Sequence, residues 1–112
     1  MVEVREYYEI LERNREFFEK AFKIAKDIAE KAKKMFEDCE VFIIGSFARG
    51  EHKLSSDLDI LIVSDGIPDK IDFEFYSRIV KALTDDSRVN IHLLNRRRLK
   101  EVDKIYSPRI KV

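Results

Sequence analysis

Between residues 41 and 63 the chain reads VFIIGSFARGEHKLSSDLDILIV, and several side chains in it could act together. Asp57 and Asp59 stand two apart at the start of an apolar run. Successive strand residues point to opposite faces, so these carboxylates share one face at about 6.6 Å separation. Bare, they would repel each other and resist desolvation. A divalent cation relieves both problems, and Mg²⁺ is usually held by one or two carboxylates plus substrate phosphates. The turn before them offers the complementary half. Gly45 lets the backbone come close to a ligand, and Ser46 is expected to cap a single helical turn. Free amides at such a start, with a hydroxyl beside them, suit a phosphate. Arg49, one turn further on, adds positive charge for a triphosphate. A phosphate cradle beside metal carboxylates is what phosphoryl or nucleotidyl transfer from NTP·Mg²⁺ requires. Either half alone is a common loop feature; the two on neighbouring strand ends are a rarer combination.

The elements that must position these residues are legible from periodicity. Residues 3 to 38 contain neither Gly nor Pro. Tyr7, Leu11, Phe18, Phe22, Ala25, Ala29, Ala32 and Phe36 follow the three-to-four spacing of a helix with one buried stripe, widened by Ile10, Phe17, Ala21, Ile24, Ile28 and Met35. One long helix or two with a break near Asn14 would fit. Residues 40–44 read as a strand stopped by Gly45, and 57–63 as a central strand apolar on both faces in its far half. SDGIPD is a turn. Residues 69–84 form an amphipathic helix on Ile71, Phe75, Ile79 and Leu83. RVNIHLL (88–94) alternates as a third strand, and a short basic helix follows from about 96 to 104. The order α-β-β-α-β-α predicts an α/β (α+β) fold, a small mixed sheet with helices packed on it. The strand–helix–strand unit over 57–94 should make its two strands parallel.

Composition narrows the class. With 112 residues and 45% hydrophobic side chains, the chain is expected to form one globular domain over 1–112. It divides into a helical segment, 3–38, and a core, 40–104. No apolar run approaches the roughly 18 to 20 residues needed to span a bilayer. The N-terminus is charged from its third residue and has no signal-peptide apolar region. The lone Cys39 forms no intrachain disulfide. Together these point to a cytoplasmic protein. The 22 basic and 22 acidic residues balance, so global charge does not attract nucleic acid. From Arg96 onward seven basic residues face only Glu101 and Asp103. That tail reads either as a solvated helix face or as a contact for an acidic partner, RNA or a nucleotide. Charged residues at 39%, with no Gln, point towards a thermophilic source.

Gly45-Ser46, ten intervening residues and Asp57-Leu58-Asp59 resemble the signature of the DNA polymerase β nucleotidyltransferase superfamily. The fuller string GSFARGEHKLSSDLDILIV is similar to its minimal nucleotidyltransferase (MNT) branch. The resemblance implies a mixed sheet with helices on one side. It also implies that Gly45 and Ser46 hold the triphosphate of ATP, that Asp57 and Asp59 hold Mg²⁺, and that Arg49 and Ser56 support the nucleotide. Proteins of that branch are often paired with a HEPN-type helical toxin, and transfer AMP to a hydroxyl of that partner as antitoxins. Superfamily members usually carry a third carboxylate on a later strand. Here the matching strand offers Asn90, which cannot act as a base, and His92 on the same face. His92 has two readings: a general base or metal ligand, or a satisfied polar strand residue. The resemblance therefore leaves open a nucleotide-binding antitoxin that acts mainly by forming a complex. The broad apolar face of the N-terminal helix suits a homodimer or a partner contact.

Overall fold

The computed structural model describes residues 4–51 and 56–112, with the side chains of Tyr7, Ile10, Leu11 and Asn14 outside that description. The apolar-stripe expectations for those four side chains, and the His52–Ser55 part of the motif, thus lie outside the described residues. Helix α1 runs unbroken over Val4–Met35, so the alternative of two helices is not taken. Its buried side is built from small residues: Ala21, Ala25, Ala29 and Ala32 are at most 5% exposed, which lets the helix lie close on the sheet. Lys33 and Lys34 in the last turn complement the negative end of the helix dipole.

Strand β1 (Glu40–Ile44) leads into the four-residue helix α2 (Gly45–Ala48), then to β2 (Leu58–Val63). Helix α3 (Phe73–Leu83) follows, then β3 (Val89–Leu94), α4 (Arg96–Val102) and the two-residue β4 (Ile110–Lys111). The sheet order is β3-β2-β1-β4. β1 is antiparallel to both β2 and β4, and β2 is parallel to β3, as the crossover rule predicts. α3 starts at Phe73 because Asp72 caps it, its carboxylate accepting from the Phe75 amide at 2.7 Å. Asn95 caps α4 in the same way, accepting from the Arg98 amide at 2.8 Å. Its own amide group donates to Ile67 O and to Asp69.

The two faces of the sheet have different coverings. Val41, Ile43, Leu58, Ile60, Ile62, Val89, Ile91 and Leu93 join α1 and α3 in the main core. Ile44, Leu61 and Val63 point the other way and are covered by Phe42, Leu94, Leu99 of α4 and Tyr106. The resemblance implied helices on one side only; here α4 and the segment after it shield part of the opposite face.

Three local expectations are corrected. Ser46 is not the cap of α2: Ile44 occupies that position with extended backbone and no side-chain cap bond, and Ser46 is already inside the helix. Gly45 causes this, because its φ of +70° starts the turn two residues earlier. Asp57 lies just before β2 rather than in it. The C-terminal residues, read only as a basic tail, add β4 to the sheet, with the Val112 amide donating to Val41 O at 2.9 Å. Nor is that tail a bare cationic surface. Arg96 pairs with Asp38, Asp65 and Glu40, Arg97 with Asp69 and Glu101, and Arg98 with Glu101.

Candidate active site

The sheet's second face is apolar along most of its length and turns polar at one end. Parallel pairing sets Asp59 beside Asn90 and Leu61 beside His92, while antiparallel pairing sets Asp59 beside Ile44. Asp59 therefore stands between the end of β1 and the start of β3, on the face away from α1. Its carboxylate is 28% exposed and accepts from Asn90 Nδ2 at 3.2 Å. His92 Nε2 lies 3.7 Å from the same oxygen, Asp59 Oδ1. The other ring nitrogen, Nδ1, is 3.3 Å from Tyr106 Oη, and the two rings meet edge to face.

Gly45 closes the site from the β1 side. A Cβ on it would sit 2.5 Å from Asp59 Oδ2, so only glycine allows the backbone and this carboxylate to lie together. Phe47 then fixes α2: it is 2% exposed and packs on Phe17 and Phe18 of α1, with ring centroids 5.6 and 6.2 Å away. The amides at the start of α2 have no side-chain cap, which keeps them available to an anion.

The remaining site residues occupy the rim. Asp57 is half-exposed, with Arg88 Nε 3.9 Å from its Oδ1. Arg88 also donates to Ser56 O at 3.0 Å, tying the approach to β2 to the approach to β3. Arg49 pairs with Glu51 at 3.0 Å, an exposed ion pair worth little and easily exchanged for a phosphate. A groove of about 440 Å³ opens beside His92, walled by Phe73, Tyr76 and Tyr106. Sequence reasoning missed Arg88 and Tyr106. Arg88 sits one residue before β3, and its partners are 31 and 32 positions away. Tyr106 gave no periodic signal, since it follows α4 in an irregular segment.

The donor set suits a hard divalent cation in part. Asp57 and Asp59 would offer carboxylate oxygens to such an ion, and a substrate phosphate would share it, as Mg²⁺ sites commonly require. Among the described residues no cluster of three or more His, Cys, Asp or Glu side chains is arranged to hold a metal alone. Such an ion would depend on the nucleotide to complete its coordination.

A short mixed sheet with a glycine turn held against a strand carboxylate defines a minimal nucleotidyltransferase domain. The family model for the nucleotidyltransferase domain matches residues 23–112, and the chain belongs to that family. A candidate nucleotidyltransferase of known structure from Sulfolobus solfataricus is 28% identical, with a TM-score of 0.70 over 88% of this chain and 84% of that one. A second candidate nucleotidyltransferase structure is 30% identical, with a TM-score of 0.60 over 78% of this chain and 95% of that one. Among curated proteins none matches the chain. The protein is thus a nucleotidyltransferase whose substrate is a nucleoside triphosphate, and domains of this kind generally work with divalent metal ions. Among the described residues no helix is long and apolar enough to cross a membrane.

Proposed function

We propose that this protein, a single domain over 1–112 working in the cytoplasm, transfers AMP from ATP to a hydroxyl of a HEPN-type helical protein and so acts as an antitoxin. The observation that carries the reading is the packing of Gly45 against Asp59, with Asn90 and His92 beside the same carboxylate. Ser46 and the α2 amides hold the triphosphate, with Arg49 and Ser56 in support. Asp57 and Asp59 hold Mg²⁺, which when bound offsets phosphate charge. The acceptor hydroxyl enters by the groove beside His92. Its oxygen bonds to the α-phosphorus as the bond to the β-phosphate oxygen breaks, and pyrophosphate leaves. The hydroxyl proton passes to His92 Nε2. For that the ring must carry its own proton on Nδ1, donated to Tyr106 Oη. General-base help of this kind is worth about 10² to 10⁴ in rate. The pairing of the α4 arginines with neighbouring acids supports a protein acceptor over nucleic acid. The charge-rich composition supports a thermophilic source.

One observation favours a second reading. Asn90 occupies a hydrogen-bonding place on Asp59 where an acid would complete a metal site, which suits a nucleotide-binding antitoxin that inhibits by complex formation with weak catalysis. ATP labelled at the α-phosphate, incubated with Mg²⁺ and the helical partner, separates the two. Label on the partner that disappears with Asp59→Asn supports AMP transfer. A nucleotide-bound complex without label supports the second reading. Absence of both nucleotide binding and transfer overturns both.

A further inference from the structure

Arg88 stands where three parts of the molecule meet at one end of the sheet. Its backbone is fixed first. The Leu58 amide at the start of β2 donates to Arg88 O at 2.9 Å, and the Arg88 amide donates to Asp86 Oδ1 at 2.8 Å. The guanidinium then turns towards Asp57, with Nε 3.9 Å from Asp57 Oδ1 and Nη2 donating to Ser56 O at 3.0 Å. Its Cζ also sits over the ring of Phe17 in α1, 6.0 Å from the centroid.

Phe17 carries the arrangement back to α1. Its ring stacks on Phe47, the buried anchor of α2, with centroids 5.6 Å apart. Phe17, Phe47, Leu58 and Arg88 line one recess of about 100 Å³, bordered also by Lys20 and Asp86, whose opposite charges offset each other. A cation over an aromatic face is attracted by the ring quadrupole, so Phe17 favours the guanidinium where it stands. Phe17 also precedes the stretch that matches the family, which begins at residue 23. The seat of Arg88 thus comes from a part of α1 outside that stretch.

Without an ion between them, Asp57 and Asp59 repel each other. We propose that Arg88, seated on Phe17, is a positioning residue that stands in for the metal at Asp57 in the metal-free protein and so weakens the hold on Mg²⁺. The inference rests on the reading of Asp57 as a metal ligand. The pair is suited to exchange, because its side chains are 51% and 50% exposed and such ion pairs are weak. A guanidinium stays charged at any working pH, so it cannot withdraw by losing a proton. A dication on the same carboxylate therefore meets its repulsion. Arg88 stabilises the metal-free site and raises the Mg²⁺ required, and the ion stays only when the phosphates of a nucleotide add their oxygens.

Calorimetry of the full chain with α,β-methylene-ATP, in which the bond broken by transfer is blocked, tests it. The ratio of affinities in excess Mg²⁺ and in EDTA reads how tightly the complex holds the ion. Arg88→Met should raise this ratio about 3- to 10-fold, the effect of removing one charge beside a carboxylate that binds a dication. The same variant should melt lower in EDTA, because Asp57 loses its counter-ion. A merely structural residue would lower the stability without tightening the metal. Arg88→Lys keeps the charge and should lie nearer wild type. Phe17→Leu should raise the ratio less than Arg88→Met does, and add nothing in the Arg88→Met background. The gap between wild type and Arg88→Met should narrow in about 1 M KCl, where the Debye length is about 3 Å. Circular dichroism confirms folding, and should Arg88→Met not fold, Phe17→Leu carries the test by itself. Asp57→Asn must lower the ratio if Asp57 is a ligand. An unchanged or lower ratio in Arg88→Met, beside a lowered one in Asp57→Asn, overturns this inference alone. An unchanged ratio in Asp57→Asn overturns the metal reading, and this inference with it.

Discussion

Replacing Gly45 with alanine tests the site without touching any charged group. Two separate costs are expected. Gly45 has φ +70°, and an alanine forced into that left-handed region loses about 1 to 2 kcal/mol. The new Cβ would also lie 2.5 Å from Asp59 Oδ2 and 3.2 Å from its Cγ. Relief requires the carboxylate to swing away from Asn90, losing a hydrogen bond of about 1 kcal/mol, with residual overpacking of about 1 kcal/mol. Gly50 provides the control, because its φ is +71° and, among the described residues other than its chain neighbours, no atom lies within 4 Å of a Cβ placed there. Gly50→Ala should lose only the backbone share, about 1 to 2 kcal/mol, and Gly45→Ala about 3 to 4 kcal/mol. At about 4 °C per kcal/mol for a domain of this size, the two melting temperatures should differ by about 8 °C. In an Asp59→Ala background the contacting oxygen is gone, so adding Gly45→Ala should cost little more than Gly50→Ala does. Urea and thermal denaturation of the four variants together measure all of this. Equal destabilisation by Gly45→Ala and Gly50→Ala, or no relief from Asp59→Ala, refutes the packing on which the site rests.

Other expectations follow from the same geometry. Asn90→Asp puts a second carboxylate in hydrogen-bonding reach of Asp59, so the variant should melt lower than wild type in EDTA and recover with Mg²⁺ and nucleotide; a melting temperature indifferent to the metal refutes the assignment. In the labelled-ATP assay, His92→Ala should slow transfer about 10²-fold or more if Nε2 takes the proton, whereas an unchanged rate removes histidine from the chemistry. Phe47→Ala removes the buried anchor of α2 and should cost about 3 to 5 kcal/mol by urea denaturation; a loss below that of an exposed side chain would mean that α2 is held otherwise. Hydrogen bonding from Asn95, and then from Arg97, holds the Asp69 carboxyl below its usual range. Its stabilisation is complete above the ordinary carboxylate pKa and fades as pH falls through the lowered value. Asp69→Asn should therefore be less stable than wild type at neutral pH, with the gap closing towards acid, and a gap that widens on acidification contradicts the assignment.

The sequence alone determined the types of α1 to α4 and β1 to β3, and its glycine–serine and paired-aspartate motif identified the family that the comparisons establish. Periodicity carries the elements because α1, β2 and α3 each bury one face or both, and burial imposes regular apolar spacing. The motif is legible because Gly45 and Asp59 are required by local geometry, a positive φ and a strand register. Asn90 and His92 were placed on the right face of β3 by alternation alone, and parallel pairing then set them beside Asp59. Other features depended on tertiary contacts with no local signature. β4 is two residues long and exists because β1 has a free edge to receive it. Tyr106 reaches His92 only after α4 folds over the second face, and Arg88 reaches Asp57 only through the β2–β3 pairing. The fate of the arginine run was open for the same reason: Asp38, Glu40, Asp65 and Asp69 are remote in sequence and are brought to it by the sheet. The cap of α2 was misjudged by two residues because capping propensity favours serine, while the left-handed backbone of Gly45, imposed by the approach of Asp59, decided where the turn begins.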